Sequence, residues 1–168
     1  MAVRPIVIYG DPVLREISEP VAEVNQEIKS LVSDMVDTLK KAQGLGLAAV
    51  QIGVPQRIFI VDLSAMDINA SLTVFINPEI LDTRGEVELE EGCLSFPGIY
   101  QKCTRPAWAR VRALDLNGKP FEMAADGLAA RAILHEFDHL EGKLFIDYWS
   151  PIAKTLMRGR LKKLAAAS

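Results

Sequence analysis

The apolar positions divide the chain into helix-like and strand-like stretches. Ile28, Leu31, Val32, Met35, Val36 and Leu39 recur at i, i+3, i+4, i+7, i+8 and i+11, which predicts an amphipathic helix. Asn25 stands before it as an N-cap, Lys40 and Lys41 fall in its last turn, and Gly44 is the expected stop. Pro5 to Tyr9 reads as a short strand ahead of a turn at Gly10-Asp11-Pro12, and an irregular segment follows to Val21. Further strands are predicted over Arg57–Leu63, Thr73–Asn77, Glu79–Thr83, Glu86–Glu90, Ile99–Cys103 and Trp108–Asp115, with Pro78 separating the second from the third. Asn117-Gly118 is a two-residue hairpin signal returning through Lys119 to Ala124. Asp126 is the expected cap of a second helix, and Ser150-Pro151 opens a last one in N-cap and N1 order.

The second helix carries His135-Glu136-Phe137-Asp138-His139, and these are the only two histidines among the 168 residues. Four positions apart, both imidazoles lie on one side of a helix and reach one metal ion, with Glu136 beside them as a candidate general base. At about 100° per residue, Leu128, Arg131, Ala132, His135, His139 and Gly142 share a face, and Ile133, Phe137, Leu140 and Leu144 lie opposite. The second group is expected in the core and the first along a cleft, with Arg131 nearer its rim, either solvated or meeting the substrate, and solvation the favoured reading. An apolar lining beside a metal suits a substrate with a hydrophobic side chain.

A catalytic ion of this kind takes three protein ligands and keeps one position for water. The metallopeptidase pattern that continues to a third histidine fails, because position 145 is Phe145; no Glu follows Glu141. Asp147 is left as a carboxylate, and Cys93, between Gly92 and Leu94, is the better candidate. Gly44 to Gly53 has no phosphate-loop ending. Its Gln51 closes an almost wholly apolar stretch and needs hydrogen-bond partners.

Composition narrows the class. Apolar residues make up 49% and charged residues 24%, which predicts a globular domain. No apolar run nears the roughly 20 residues that span a bilayer. The start, Met1-Ala2-Val3-Arg4, is too short for a signal-peptide core, so a cytoplasmic protein without membrane attachment is expected. In a reducing compartment Cys93 and Cys103 are not expected to pair. The net charge is −3, yet residues 151–168 hold five basic side chains and no acid, leaving −8 elsewhere. That asymmetry fits either an anionic partner or a solvated helix.

Three stretches decide between these readings: Gly44-Leu45-Gly46-Leu47-Ala48-Ala49-Val50-Gln51, Glu91-Gly92-Cys93-Leu94-Ser95, and His135-Glu136-Phe137-Asp138-His139-Leu140-Glu141-Gly142. In sequence and in order they resemble the three signatures of the peptide deformylase family. The similarity covers the whole chain, including Asp11 to Arg15 and a C-terminal helix like that of bacterial type 1 members. The resemblance implies an α+β fold over 1–168 as one catalytic domain. Antiparallel or mixed sheets would pack around a central metal-binding helix, flanked by an N-terminal and a C-terminal helix. It implies removal of the formyl group from N-formylmethionine of nascent polypeptides. Cys93, His135 and His139 would bind one Fe²⁺ per chain, replaceable by Zn²⁺, Ni²⁺ or Co²⁺, although these ligand types alone suggest zinc first. A hydroxide made available by the metal would attack the formyl carbon, with Glu136 as base and then acid. The Gln51 side-chain amide and the Leu94 N–H would stabilise the oxyanion.

Leu45, Leu89, Leu128 and Ala132, with the His135 ring, form the expected methionine pocket, and backbone at Leu45 and Gly46 forms an edge expected to pair with the extended peptide. Asp138 is a candidate orienting residue, and Glu91 and Arg105 a candidate buried ion pair near Cys93. The resemblance also implies that the helix over 151–168 docks on the ribosome near the exit tunnel. The competing readings are a metallopeptidase built on the same helix and a non-catalytic protein with a structural metal.

Overall fold

The structure, a computed structural model, describes residues 2–65 and 71–168; Met1, where the reading of the N-terminus starts, lies outside them. Helix α1 spans Gln26–Ala42. The strands are β1 (Gly46–Ala48), β2 (Ile58–Asp62), β3 (Leu72–Arg84), β4 (Val87–Gly92), β5 (Tyr100–Arg105), β6 (Trp108–Leu114) and β7 (Pro120–Asp126). Helix α2 (Gly127–Leu140) and helix α3 (Pro151–Ala166) complete the chain. Five strands form one sheet in the order β1-β2-β3-β6-β7, and β4 and β5 form a separate pair. Among the described residues, these strands pair with one another antiparallel throughout, and an isolated parallel bridge joins Glu19 to Gln56.

Strand β2 explains how the two halves of the core form. Ile58 and Ile60 pack with Met35 and Leu39 of α1, while Phe59 and Val61 pack with Ile133 and Leu140 of α2. Alternate side chains point to opposite faces, so a strand covered on both sides reads as the unbroken apolar run Ile58–Val61. A third cluster joins Leu14, Phe96, Phe145, Trp149 and Met157. It binds the N-terminal segment, the loop after Cys93 and α3 together beneath the small sheet's end of the molecule.

Local chemistry sets most boundaries. The Asn25 side chain accepts from the Ile28 N–H, and Ser150 does the same for Ala153. Helix α1 stops one residue earlier than Gly44: Gln43 takes the left-handed conformation at φ 57°. Gly44 serves packing instead, since a Cβ there would lie 2.8 Å from the Leu94 side chain. Asp126 occupies the N-cap of α2 without a side-chain hydrogen bond.

Two strand expectations are also corrected. Thr73–Asn77 and Glu79–Thr83 are one strand, β3, with register shifts on either side of Ile80. Pro78 has no N–H to donate, and the irregular register accommodates it. Asn77 turns at φ 51°, where its side chain bonds both the N–H and the carbonyl of Val21. Residues 5–9 form no strand. Their extended backbone crosses between two other segments, with Val7 N–H donating to Gln51 O and Tyr9 N–H to Ser95 O.

Candidate functional site

Cys93 follows the end of β4, and His135 and His139 stand one turn apart on α2. Their ligand atoms lie within 4.8 Å of one another, and Cys93 Sγ is 3.5 Å from His139 Nε2. Bonds of about 2.0–2.3 Å to a shared ion put tetrahedral donors roughly 3.5 Å apart, so one thiolate and two imidazoles fit a divalent cation. Three protein donors also leave the open position that catalytic sites keep.

Surrounding charges orient these donors. His135 Nδ1 is 2.5 Å from Glu91 Oε1, which leaves Nε2 as the ligand nitrogen. Glu91 also accepts from Arg105 Nε and Nη2, both at 2.8 Å, and from Arg131 Nη1 at 2.6 Å. Arg105 Nη1 continues to Asp138 Oδ2 at 2.8 Å. The expected Glu91–Arg105 pair is therefore present and buried, and Asp138 engages Arg105. Burial works against charge on Glu91, but the hydrogen bonds from His135 and Arg105 outweigh it and hold the carboxyl well below its usual range. Burial lowers His139 and favours its neutral imidazole, the form that ligates.

Glu136 points into the same site. Its carboxylate lies so close to Gly46 that a Cβ there would be 2.9 Å from Oε2, and Oε1 is buried with no partner. Burial pushes this carboxyl up to about 7. Gln51 is 1% exposed. Its Oε1 accepts from the Ala48 N–H at 2.9 Å, while Nε2 donates to Ser95 Oγ at 3.1 Å and lies 3.7 Å from Cys93 Sγ. The buried amide thus has protein partners of its own, and it faces the metal-binding thiol.

A cavity of ≈ 400 Å³ opens beside these groups. Leu45, Gly46, Leu94, Leu128, Ala132 and Glu136 help to line it. Leu89 stands exposed on β4, outside the lining. Arg131 is the clearest correction: it is 5% exposed and bonded at both guanidinium ends, not solvated at a rim. Sequence reasoning also missed Ser95, although it closes one of the three motif stretches. The larger groove, ≈ 680 Å³ between α1 and residues 19–23, contains none of the metal-binding side chains.

Residues 3–155 match the family model described as polypeptide deformylase. This chain belongs to that family. A peptide deformylase of Alkalilimnicola ehrlichii is 48% identical over 164 residues, covering 98% of this chain and 92% of the relative. One from Mesorhizobium japonicum is 45% identical, covering 98% and 94%. The crystal structure of a peptide deformylase from Legionella pneumophila superposes with a TM-score of 0.89 at 44% identity, covering 96% of this chain and 95% of that one. The activity is that of a peptide deformylase, and Cys93, His135 and His139 form its metal site. Among the described residues no helix is long and apolar enough to cross a membrane.

Proposed function

We propose that this deformylase removes the formyl group from N-formylmethionine at the start of nascent bacterial polypeptides, releasing formate, with Glu136 as the proton carrier. The observation that carries this reading is the buried, unpartnered Glu136 Oε1 beside the Cys93–His135–His139 donors. Fe²⁺ is the proposed ion, one per chain, on the family resemblance; Zn²⁺, Ni²⁺ and Co²⁺ suit the same donors. When bound, the ion supplies Lewis acidity that lowers the pKa of water and polarises the formyl oxygen.

The protein side chains do the rest. Glu136, poised near neutrality, takes the proton as water oxygen bonds to the formyl carbon. As the C–N bond breaks, Glu136 returns that proton to the leaving amine, giving formate and a free N-terminus. Negative charge that develops on the formyl oxygen meets the Gln51 amide and the Leu94 N–H, donors fixed before reaction. Leu45, Gly46, Leu128 and Ala132 receive the methionine side chain, with Leu89 at the outer margin on the β4 face that also carries Glu91.

The bacterial relatives favour a cytoplasmic setting. The basic, exposed side of α3 favours contact with the ribosome near the exit tunnel. The test of the chemistry is Glu136→Ala, assayed on a formyl-Met peptide with metal analysis of the same sample. Turnover should collapse while about one ion per chain is retained. Formate release at the unsubstituted rate would remove Glu136 as the base.

A further inference from the structure

The metal site draws its ligands from helix α2 and from the end of β4, elements that belong to different sheets' packing. Helix α2 packs against β1, β2, β6 and β7 of the larger sheet. Cys93 hangs from the end of β4, in the separate β4–β5 pair. Beside the core packing of Cys93, the spacing between thiol and imidazoles depends on side chains that tie this pair to α2.

Arg131 makes the most extensive of these ties. One turn before His135 on α2, its Nη1 donates to Glu91 Oε2 at 2.6 Å and to the Cys103 carbonyl at 2.9 Å. Its Nη2 donates to the Val87 carbonyl at 2.7 Å. Val87 opens β4, and Cys103 lies in β5 opposite Leu89. One planar guanidinium thus clamps the backbone of both strands and the carboxylate that holds His135. Arg105 also links β5 to α2, but its partners Glu91 and Asp138 are side chains that can shift with it. Arg131 instead bonds main-chain oxygens, and its rigid fork fixes their distance from the helix.

We propose that Arg131 is a positioning residue of the metal centre, setting the distance from Cys93 to the two imidazoles by clamping the β4–β5 pair onto α2. It touches no reacting atom. The inference rests on the Cys93–His135–His139 centre and is independent of the roles given above to Glu136 and Gln51.

Arg131→Met and Arg131→Lys test it, through the Co²⁺ dissociation constant of the metal-free proteins and the absorption spectrum of the Co²⁺ forms. Losing the direct outer partner of a metal ligand costs about 10–100-fold in affinity. Arg131 acts one step further out, through Glu91, so Arg131→Met should cost about 10-fold, the lower end of that range. The thiolate-to-cobalt charge-transfer band should weaken or shift with it. Arg131→Lys, which keeps the cation beside Glu91 but not the fork to two carbonyls, should lie between. Thermal melts of the metal-free forms separate a folding defect from a site defect. If Arg131→Met does not fold, Arg131→Lys decides alone. Unchanged affinity and an unchanged thiolate band in the folded variant overturn the proposal. Loss of formate release in Glu136→Ala with normal Co²⁺ binding leaves it standing.

Discussion

Gln51 combines a structural and a proposed chemical role in one amide. Its oxygen holds the Ala48 N–H, and its nitrogen is anchored on Ser95 Oγ beside Cys93. Gln51→Ala should lower kcat by about 10²–10³, the usual loss for one oxyanion donor. It should also lower stability by about 1–3 kcal/mol, because the buried Ala48 N–H loses its acceptor. Ser95→Ala keeps the amide and should retain most of the rate. Equal losses of kcat in the two variants, measured on one formyl-Met peptide, would mean that Gln51 acts only through the fold. The residues legible at this scale share a short spacing or a motif. The histidine pair sits one helical turn apart, and Cys93, Gln51 and Glu136 stand in the three family stretches. Arg131 was not legible. Its partners Glu91, Cys103 and Val87 lie 40, 28 and 44 positions away. The helical wheel put it correctly on the cleft-facing side. No sequence period shows that a two-stranded sheet lies over that face and turns an expected rim residue into a buried clamp.

Helices were more legible than strands. The 3.6-residue period and the caps at Asn25 and Ser150 are local signals, and α1 and α3 begin where those signals place them. Strand limits depend on partners. Pro78 looked like a break, yet β6 pairs with β3 on both sides of it. Pro5 to Tyr9 has strand-like composition, but the groups it meets belong to Gln51 and Ser95, not to a ladder. Helix α3 bears on the proposed ribosome contact. It is docked through Met157, through Arg160 donating to the Gly98 carbonyl, and through its end packed on Gly10. Deleting it would open the third core cluster, so charge substitution is the cleaner test. Replacing the exposed Lys154, Arg158, Lys162 and Lys163 by Glu should weaken ribosome binding and make the remaining affinity less salt-sensitive. Hydrolysis of a short formyl-Met peptide should be unchanged. Ribosome affinity equal to that of the unsubstituted chain would sink the contact.

In the molecule as a whole, the N-terminal and C-terminal segments are tied to each other at the surface. Arg15 holds Asp147 through two hydrogen bonds of 2.8 and 3.1 Å and reaches the Gly142 carbonyl at 3.3 Å. Partial burial pushes the Asp147 carboxyl up, but the Arg15 guanidinium and the Leu144 N–H outweigh it and hold it below its ordinary value. A carboxyl lowered by folding stabilises above its unfolded pKa of about 3.9 and loses that contribution as pH falls through the folded value. Asp147→Asn should therefore be less stable than the unsubstituted chain at pH 7, with the gap narrowing at pH 3. Urea midpoints at the two pH values check this, and a gap that is constant with pH would assign the loss to packing. The pair is well exposed, so the effect is small.

The helices, the ligand types and the three family stretches, and through them the family's activity, are written in neighbouring residues or in a short repeating period. Which residues hold the site together is set by long-range packing. Packing runs β3 through Pro78, keeps residues 5–9 out of any strand ladder and anchors Gln51 on Ser95. It also places Glu91 between two guanidinia and a metal-binding histidine. The physical reason is common to all four. A buried hydrogen bond or ion pair is fixed by what packs against it, and those partners come from segments that only folding brings together.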